Sequence, residues 1–524
     1  MACVGDEMSA IGARVDPVKP VGPFLNPEVE ALFDSARYLV LAASVDGNNS
    51  AAPFLCRRDG PTLVFMCWRG ARVAAQMAIN PLVQAVILGD SPADQKTAAL
   101  EVTGHCHTIR DRSERERIAF LLLSDFEGLD LANYAVFQLL PTRLALVNPL
   151  GASIHRSQRV ANYELTDTRE AMTAVEGFMR LWIRAIRAPF FAAAIIPVIL
   201  GGAVAWAGMA RLGTEQAFSW PLMLWCLLGS ILAAAGTNLV NDYGDDETGA
   251  DDPNEATGNP FTGGSRTIQL GLAAPWKIFA AGLGCFVLMG LVGLHINALI
   301  AGAPLAPSPL FLFGLAGATL GIAYTVGPFR LSYRGYGELA VALGFGPVIL
   351  LGTLYVLSHA AKIATPWAAG VLAALPISVF VLLVLWINQF QDAGADSASG
   401  KRTWVVRLAE KSADLDFTLP FRVYVVLNVM GFGFVAVIAT LGFFAPTVGT
   451  PYAALALLAV PLFVRAQKLG STWVKQWASR TDSPDERRRL FFSLLPVNAL
   501  TISIHAATGL LLAVGYIISG CTAL

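Results

Sequence analysis

The chain has 524 residues, 55% hydrophobic and 14% charged, with a mean hydropathy of +0.56. An ordinary soluble domain carries roughly 25% charged residues, so a wholly soluble protein and a disordered one are both excluded. Lys and Arg (37) balance Asp and Glu (38) to −1, which gives no electrostatic case for nucleic acid as a partner. The charge is also uneven. Residues 1–187 carry 40 charged side chains and the 337 residues after them carry 35, so a water-soluble front precedes a membrane-embedded back.

In chain order, residues 1–26 contain Gly and Pro without periodicity and read as a loose tail. The stretch lacks an apolar run, so no secretory signal is expected and the front is placed in the cytoplasm. Residues 27–160 read as one small domain. Tyr38–Val45, Ala52–Cys56, Thr62–Trp68 and Val83–Leu88 are apolar runs separated by turn signals. Leu100, Val102 and Cys106 alternate with Glu101, Thr103, His105 and His107, the pattern of a half-buried strand. Arg115–Leu123 predicts a helix, and Ala135–Val147 a strand pair broken at Pro141. Together these predict a small antiparallel β-barrel. The seven cysteines include no CxxC pair, so buried reduced thiols are expected rather than a metal cluster or disulfide framework. Residues 161–187 form an amphipathic linker, with Arg180, Arg184 and Arg187 on one side and Met172, Val175, Phe178, Met179 and Trp182 offering apolar surface. Such a helix suits an anionic membrane surface, or serves as a plain connector.

Residues 188–524 predict an all-α membrane bundle of nine transmembrane helices, near 188–209, 219–240, 276–301, 308–326, 337–358, 367–390, 421–443, 451–466 and 493–519. With the front domain inside, inner loops carry sixteen Lys and Arg and outer loops two, the bias of an inner-membrane protein with a cytoplasmic N-terminal domain.

One motif occurs twice. Asn238, Asp242 and Asp246 are spaced i, i+4, i+8, and so are Asn388, Asp392 and Asp396, four spans later. Eight residues turn a helix about 80° off register, so each trio forms one stripe about 12 Å long. Both stripes fall at helix C-termini, where the macrodipole disfavours carboxylates. A hard divalent cation would remove that penalty, and Mg²⁺ commonly bridges to substrate phosphates. Arg266 follows the first cluster, and Lys401 and Arg402 the second; they are candidate donors to a diphosphate or positive-inside anchors. Asp245 and Asp251 either support the metal site or are solvated.

The stretches NLVNDYGDDETGAD at 238–251 and NQFQDAGADSASGKRTWVVRL at 388–408 resemble the two aspartate-rich motifs of UbiA-type membrane prenyltransferases. GGSR at 263–266, YTVGP at 324–328 and RGYGE at 334–338 are similar to its 1,4-dihydroxy-2-naphthoate (menaquinone-pathway) branch. The resemblance implies Mg²⁺ held by Asp242, Asp246, Asp392 and Asp396, with Asn238 and Asn388 orienting it. It implies a polyprenyl diphosphate gripped by Arg266, Lys401 and Arg402, and transfer to an aromatic quinone precursor with release of diphosphate. Tyr324, Arg334 and Glu338 become candidates for shaping the acceptor pocket, or for helix-end packing. Ala409-Glu410 and Gln391 depart from the family pattern, which bears on the acceptor: another phenolic or lipid acceptor is the alternative. An ion-coupled transporter is a further alternative, against which both motifs fall on one side of the membrane. In the front domain, RYLVLAASVDG at 37–47, TLVFMCWRGAR at 62–72 and LEVTGH at 100–105 resemble the flavin-binding split barrel of the pyridoxamine-phosphate-oxidase-like group. If FMN binds there, Arg69 and Arg72 are its expected phosphate contacts.

Overall fold

The computed structural model describes residues 32–45, 48–59, 62–88, 99–109, 111–123, 134–147, 158–159, 178–179, 181–251, 264–269, 272–411, 414–481 and 483–523. The expected tail, most of the expected linker including Met172, Val175 and Arg180, and Gly263 lie outside the described residues. The chain divides into two compact units: residues 1–180 with 270–272, and residues 181–269 with 273–524.

The first unit is a closed six-stranded antiparallel barrel. Its strands are β1 Tyr38–Val45, β2 Asn48–Asp59, β3 Thr62–Trp68, β4 Leu82–Leu88, β5 Ala99–Thr108 and β6 Tyr134–Val147. They follow the order β3-β2-β1-β4-β5-β6, and β6 closes the barrel on β3. Closure leaves the barrel no free edge. Inward residues alternate as the period-2 pattern requires: Leu39, Leu41 and Ala43 of β1, and Leu100, Val102 and Cys106 of β5, meet Phe65 and Phe137, whose rings stack at 5.5 Å. Helix α1 (Arg72–Ile79) follows β3, and α2 (Arg112–Leu123) follows β5.

The break expected at Pro141 is absent: β6 is one strand. Pro141 sits opposite Gly104, where the β5–β6 register shifts. On its other edge, among the described residues, β6 pairs with β3 up to Leu139 and with β7 (Gln158–Arg159) at Arg143 and Leu144. Among the described residues, Pro141 therefore has no ladder partner on that edge to need its missing N–H. A side chain at Gly104 would meet the Leu140 carbonyl at 2.3 Å, which is why the opposing residue is glycine.

The second unit is helical. In chain order it contains α3 (Ala192–Ala210), α4 (Trp220–Thr248), α5 (Pro275–Ala301), α6 (Leu310–Ala323), α7 (Gly337–Leu343), α8 (Ile349–Ala360), α9 (Trp367–Ala398), α10 (Trp404–Ala409), α11 (Thr418–Phe444), α12 (Val460–Ala478), α13 (Pro484–Ser493) and α14 (Leu495–Cys521). A π-helical segment, Gly344–Val348, joins α7 to α8 and makes one span of them. Among the described residues eight helices are long and apolar enough to cross a membrane. The stretch expected as the fourth span forms α6, an apolar helix of only 14 residues, about 21 Å against the roughly 30 Å of a bilayer core. An aromatic cluster of Phe390, Phe417, Trp473, Trp477 and Phe491 braces α9, α12 and α13. The indoles of Trp473 and Trp477 donate to the carbonyls of Leu490 and Leu415, both at 2.8 Å, so their burial leaves no indole N–H unpaired.

Candidate active site

Helices α4 and α9 both run about two turns past their apolar stretches, so both acid-bearing segments are helical throughout. Their C-terminal ends meet at one ammonium. Lys401 Nζ lies 2.9 Å from Asp245 Oδ2 and 3.6 Å from Asp396 Oδ1, with the three side chains 12%, 4% and 5% exposed. Asp245 is the hub. It accepts from Tyr333 Oη at 3.0 Å and from Asn241 Nδ2 at 2.9 Å, while Thr325 Oγ1 donates to Asn241 Oδ1 at 2.8 Å. Tyr333 stands on the turn Leu331–Arg334. That turn is clipped to the Lys401 loop: Arg402 N donates to the Tyr333 carbonyl at 3.1 Å, and Arg407 to the Arg334 carbonyl at 2.9 Å.

A cavity of about 170 Å³ opens among these groups. Asn238, Asn241, Asp245 and Asp251 line it from the first motif, and Asn388, Asp392 and Asp396 from the second; Lys401 and Arg187 add positive charge. Gly264 also faces it. At φ +65° this residue adopts a left-handed conformation, and a side chain there would meet Asp251 Oδ2 at 2.0 Å. A second cavity, of about 700 Å³ and almost wholly apolar, is lined by residues of α4, α5, α6 and the α7–α8 span. Ala234, Thr237, Tyr324, Val341 and Phe345 line both, so the two cavities adjoin.

The sequence-predicted residues separate into two groups. Asn238, Asn388, Asp392, Asp396, Lys401 and Tyr324 line the acidic cavity. Asp242 and Asp246, expected as metal ligands, do not. Asp242 accepts the Ser265 N–H at 3.2 and 3.3 Å, and Asp246 accepts from Gln269 Nε2 at 3.0 Å. The first motif contains a second i, i+4 pair, Asn241 and Asp245. These residues lie about 60° round the helix from Asn238 and Asp242, and they are the pair brought to Lys401. Arg266 is buried beside the cavity, where its guanidinium donates to the Asp251 carbonyl. Arg402 pairs with Glu410 at 2.6 Å and is 46% exposed. Arg334 donates outward to the Pro328 carbonyl at 3.0 Å. Glu338 is buried, accepting from Gln389 Nε2 at 3.1 Å and Trp404 N at 2.9 Å. It therefore ties the 334–338 turn to α9 and α10 and lines neither cavity. Arg187, read from sequence as part of a helix that lies on anionic lipid or serves as a plain connector, lines the cavity, and Arg184 donates to the Ser265 carbonyl at 2.7 Å. In the barrel, Arg69 donates to the Tyr134 carbonyl at 3.1 Å and Arg72 begins α1 exposed.

Burial, and then the Asp245 and Asp242 carboxylates, push the Asp251 carboxyl well above the usual carboxylate range. Burial opposes the Lys401 charge, but Asp245 and then Asp396 outweigh it and hold the ammonium well above the ordinary lysine range. Asp251 Oδ2 is buried without a hydrogen-bond donor, an orphan acceptor that a cation would satisfy. Carboxylate and amide oxygens, with no sulfur or imidazole, form a donor set for a hard cation. Among the described residues no three His, Cys, Asp or Glu side chains stand close enough together to hold a metal ion by themselves.

Residues 194–495 match the family described as the UbiA prenyltransferase family. The chain is 30% identical over 286 residues to the 1,4-dihydroxy-2-naphthoate octaprenyltransferase of Mycobacterium tuberculosis, covering 54% of this chain and 84% of that one. It is 31% identical to the Escherichia coli enzyme of the same name, covering 44% and 70%. It is 28% identical to the 2-carboxy-1,4-naphthoquinone phytyltransferase of Synechocystis, covering 46% and 70%. Among solved structures, a putative pyridoxamine 5'-phosphate oxidase from Listeria innocua is 25% identical over 23% of this chain and 94% of that one, at a TM-score of 0.21.

Proposed function

The chain belongs to the UbiA prenyltransferase family and is an integral membrane prenyltransferase, and from that premise we propose that it moves a polyprenyl group from a polyprenyl diphosphate to a 1,4-dihydroxy-2-naphthoate-type acceptor. One observation carries the reading: a charged cavity bridged by Lys401 adjoins a much larger apolar cavity across Tyr324 and Phe345. The diphosphate belongs in the first and the prenyl tail in the second. The reactive carbon then lies at their junction.

Asp245, Asp251, Asp392 and Asp396 are the residues that would hold Mg²⁺, which would supply charge compensation to the phosphate oxygens. The chain's own groups do the rest. Lys401 and Arg187 stabilise the negative charge that grows on the leaving diphosphate as the C–O bond breaks. Asp245 and Asp396 hold Lys401 in place for that role. Tyr324, at the junction, orients the allylic carbon against the acceptor ring. The ring donates an electron pair to that carbon, a C–C bond forms, and the carboxyl group leaves as CO₂, returning its bonding pair to the ring. The apolar walls exclude the water that would otherwise capture the allylic cation.

The two acid-bearing helix ends mark the cytoplasmic face of an inner membrane in this reading, since basic residues concentrate in the adjoining loops. For the barrel, FMN held near Arg69 and Arg72 is the accompanying proposal, supported by the exposed start of α1. Absence of flavin absorbance in the purified protein, with no uptake of added FMN, would remove it. The transfer itself is tested by incubating the purified full chain with labelled polyprenyl diphosphate and a panel of naphthoate and other phenolic acceptors, with and without Mg²⁺. Prenylated naphthoate, formed only with the divalent ion, is expected. Transfer to a different phenol would redirect the acceptor, and transfer to none would sink the reading.

A further inference from the structure

Three buried side-chain amides form a relay whose polarity a single backbone group sets. A carbonyl can only accept, so the end of Gln391 that faces the Phe491 carbonyl at 2.7 Å is its NH₂. Gln391 Oε1 is thereby left as an acceptor, and Asn498 Nδ2 meets it at 3.3 Å. The same Asn498 NH₂ donates to Asn388 Oδ1 at 2.7 Å. Reversing any one amide would set oxygen against oxygen, or NH₂ against NH₂. Gln391 is 2% and Asn498 0% exposed, so bulk water cannot absorb the mismatch. The Phe491 backbone is itself fixed, because its ring packs on Trp477 at 5.0 Å.

Asn388 lines the acidic cavity. Its oxygen is taken by Asn498, so the group it offers the cavity is an NH₂ donor. At the other motif the polarity is reversed. Asn238 Nδ2 donates to the Ile186 carbonyl at 2.9 Å, which leaves its oxygen for the cavity. We infer that Asn388 donates a hydrogen bond to a diphosphate oxygen rather than coordinating the cation, and that Asn498 and Gln391 are positioning residues that hold it in that sense. The inference rests on the diphosphate reading above. A carboxylate-lined cavity needs neutral donors as well as cations to seat a polyanion, and an NH₂ group is of no use to a metal ion.

The test measures inorganic pyrophosphate binding to the purified full chain by calorimetry across a range of Mg²⁺ concentrations. In Asn388→Ala, pyrophosphate at saturating Mg²⁺ is expected to bind about 10- to 100-fold more weakly. The Mg²⁺ concentration giving half-maximal binding should stay within about twofold of wild type. A clear rise in that concentration would make Asn388 a metal ligand, and unchanged pyrophosphate binding would remove it from the site; either outcome overturns the inference. Asn498→Asp supplies the second arm. A carboxylate at 498 can only accept, so it turns the Asn388 NH₂ away from the cavity and should weaken pyrophosphate by a similar factor. Pyrophosphate binding left intact in that variant would overturn the positioning role. If wild type shows this binding pattern yet transfers no prenyl group, the enzymatic reading fails while the orientation of Asn388 stands.

Discussion

The two acid-bearing helix ends share a spacing and differ in wiring. On α9, the residues of the N-x3-D-x3-D stretch, Asn388, Asp392 and Asp396, all reach the cavity. On α4, the matching trio is split: Asn238 lines the cavity, Asp242 turns to the Ser265 backbone and Asp246 to Gln269, while Asn241 and Asp245 take their place. The two asparagines that do correspond present opposite polarities, because Ile186 takes the NH₂ of one and Asn498 the oxygen of the other. A repeated spacing shows that two helices carry similar stripes. It does not show that each helix is rotated to aim its stripe at the same point.

The sharpest way to break this comparison is to pit neighbours on α4 against each other. Asp245→Ala removes the hub and should slow prenyl transfer by at least about 100-fold. Asp246→Ala, at a partly exposed site whose carboxylate accepts from Gln269, should cost less than about threefold. Initial rates settle the ranking, and the reverse order would return the site to the register that spacing alone suggests. Next in size is Lys401→Met. It leaves Asp245 and Asp396 buried and uncompensated, and should destabilise the protein by about 3–5 kcal/mol, read as a fall in the denaturation midpoint in detergent.

A third test concerns protons. The Asp251 carboxyl is held well above its unfolded range, mainly by burial. Its ionisation therefore disfavours the metal-free folded state: the stability present below the unfolded value of 3.8 is lost as pH rises toward the folded value. A bound cation reverses that penalty by taking the carboxylate. Apparent Mg²⁺ affinity should accordingly rise with pH over this interval, with proton release on binding. Asp251→Asn should flatten the dependence, which calorimetry in two buffers of different ionisation enthalpy would reveal. The smallest effect is expected at Arg402. Its pairing with Glu410 is 46% exposed on the arginine side, so Arg402→Ala should change stability by under about 1 kcal/mol and the transfer rate by less than about twofold.

Much of the architecture was legible because it depends on short-range patterns. Strands β1 and β3 were readable to the residue from apolar runs between turn signals. The spans were readable from hydropathy, except that the fourth forms the 14-residue α6 and that α4 and α9 continue well past their apolar stretches. The acidic turns gave no hydropathy signal there, although their i, i+4 spacing already implied a helix. Pro141 misled because a proline breaks a ladder only where a partner strand awaits its N–H, and among the described residues none does on the edge away from β5. Asn241 could have been found, since it stands four residues before Asp245 on the same helix. Tyr333 and Asn498 carried no signal of their own, and Arg187 only that of a basic row on an amphipathic stretch. Each matters through a partner brought in by the fold.

What the sequence determined alone is the division into a charge-rich front and an apolar back with membrane-length helices, and the presence of two acid-bearing helix ends. Hydropathy, helical period and charge act over a few residues and survive any arrangement of the helices. Which carboxylate becomes the hub, which asparagine turns oxygen or NH₂ to the cavity, and which basic residue closes the site were decided by tertiary structure. Those choices hang on bonds such as Lys401 to Asp245, 156 positions apart, and on the rotation of each helix about its axis, which packing fixes and local sequence does not.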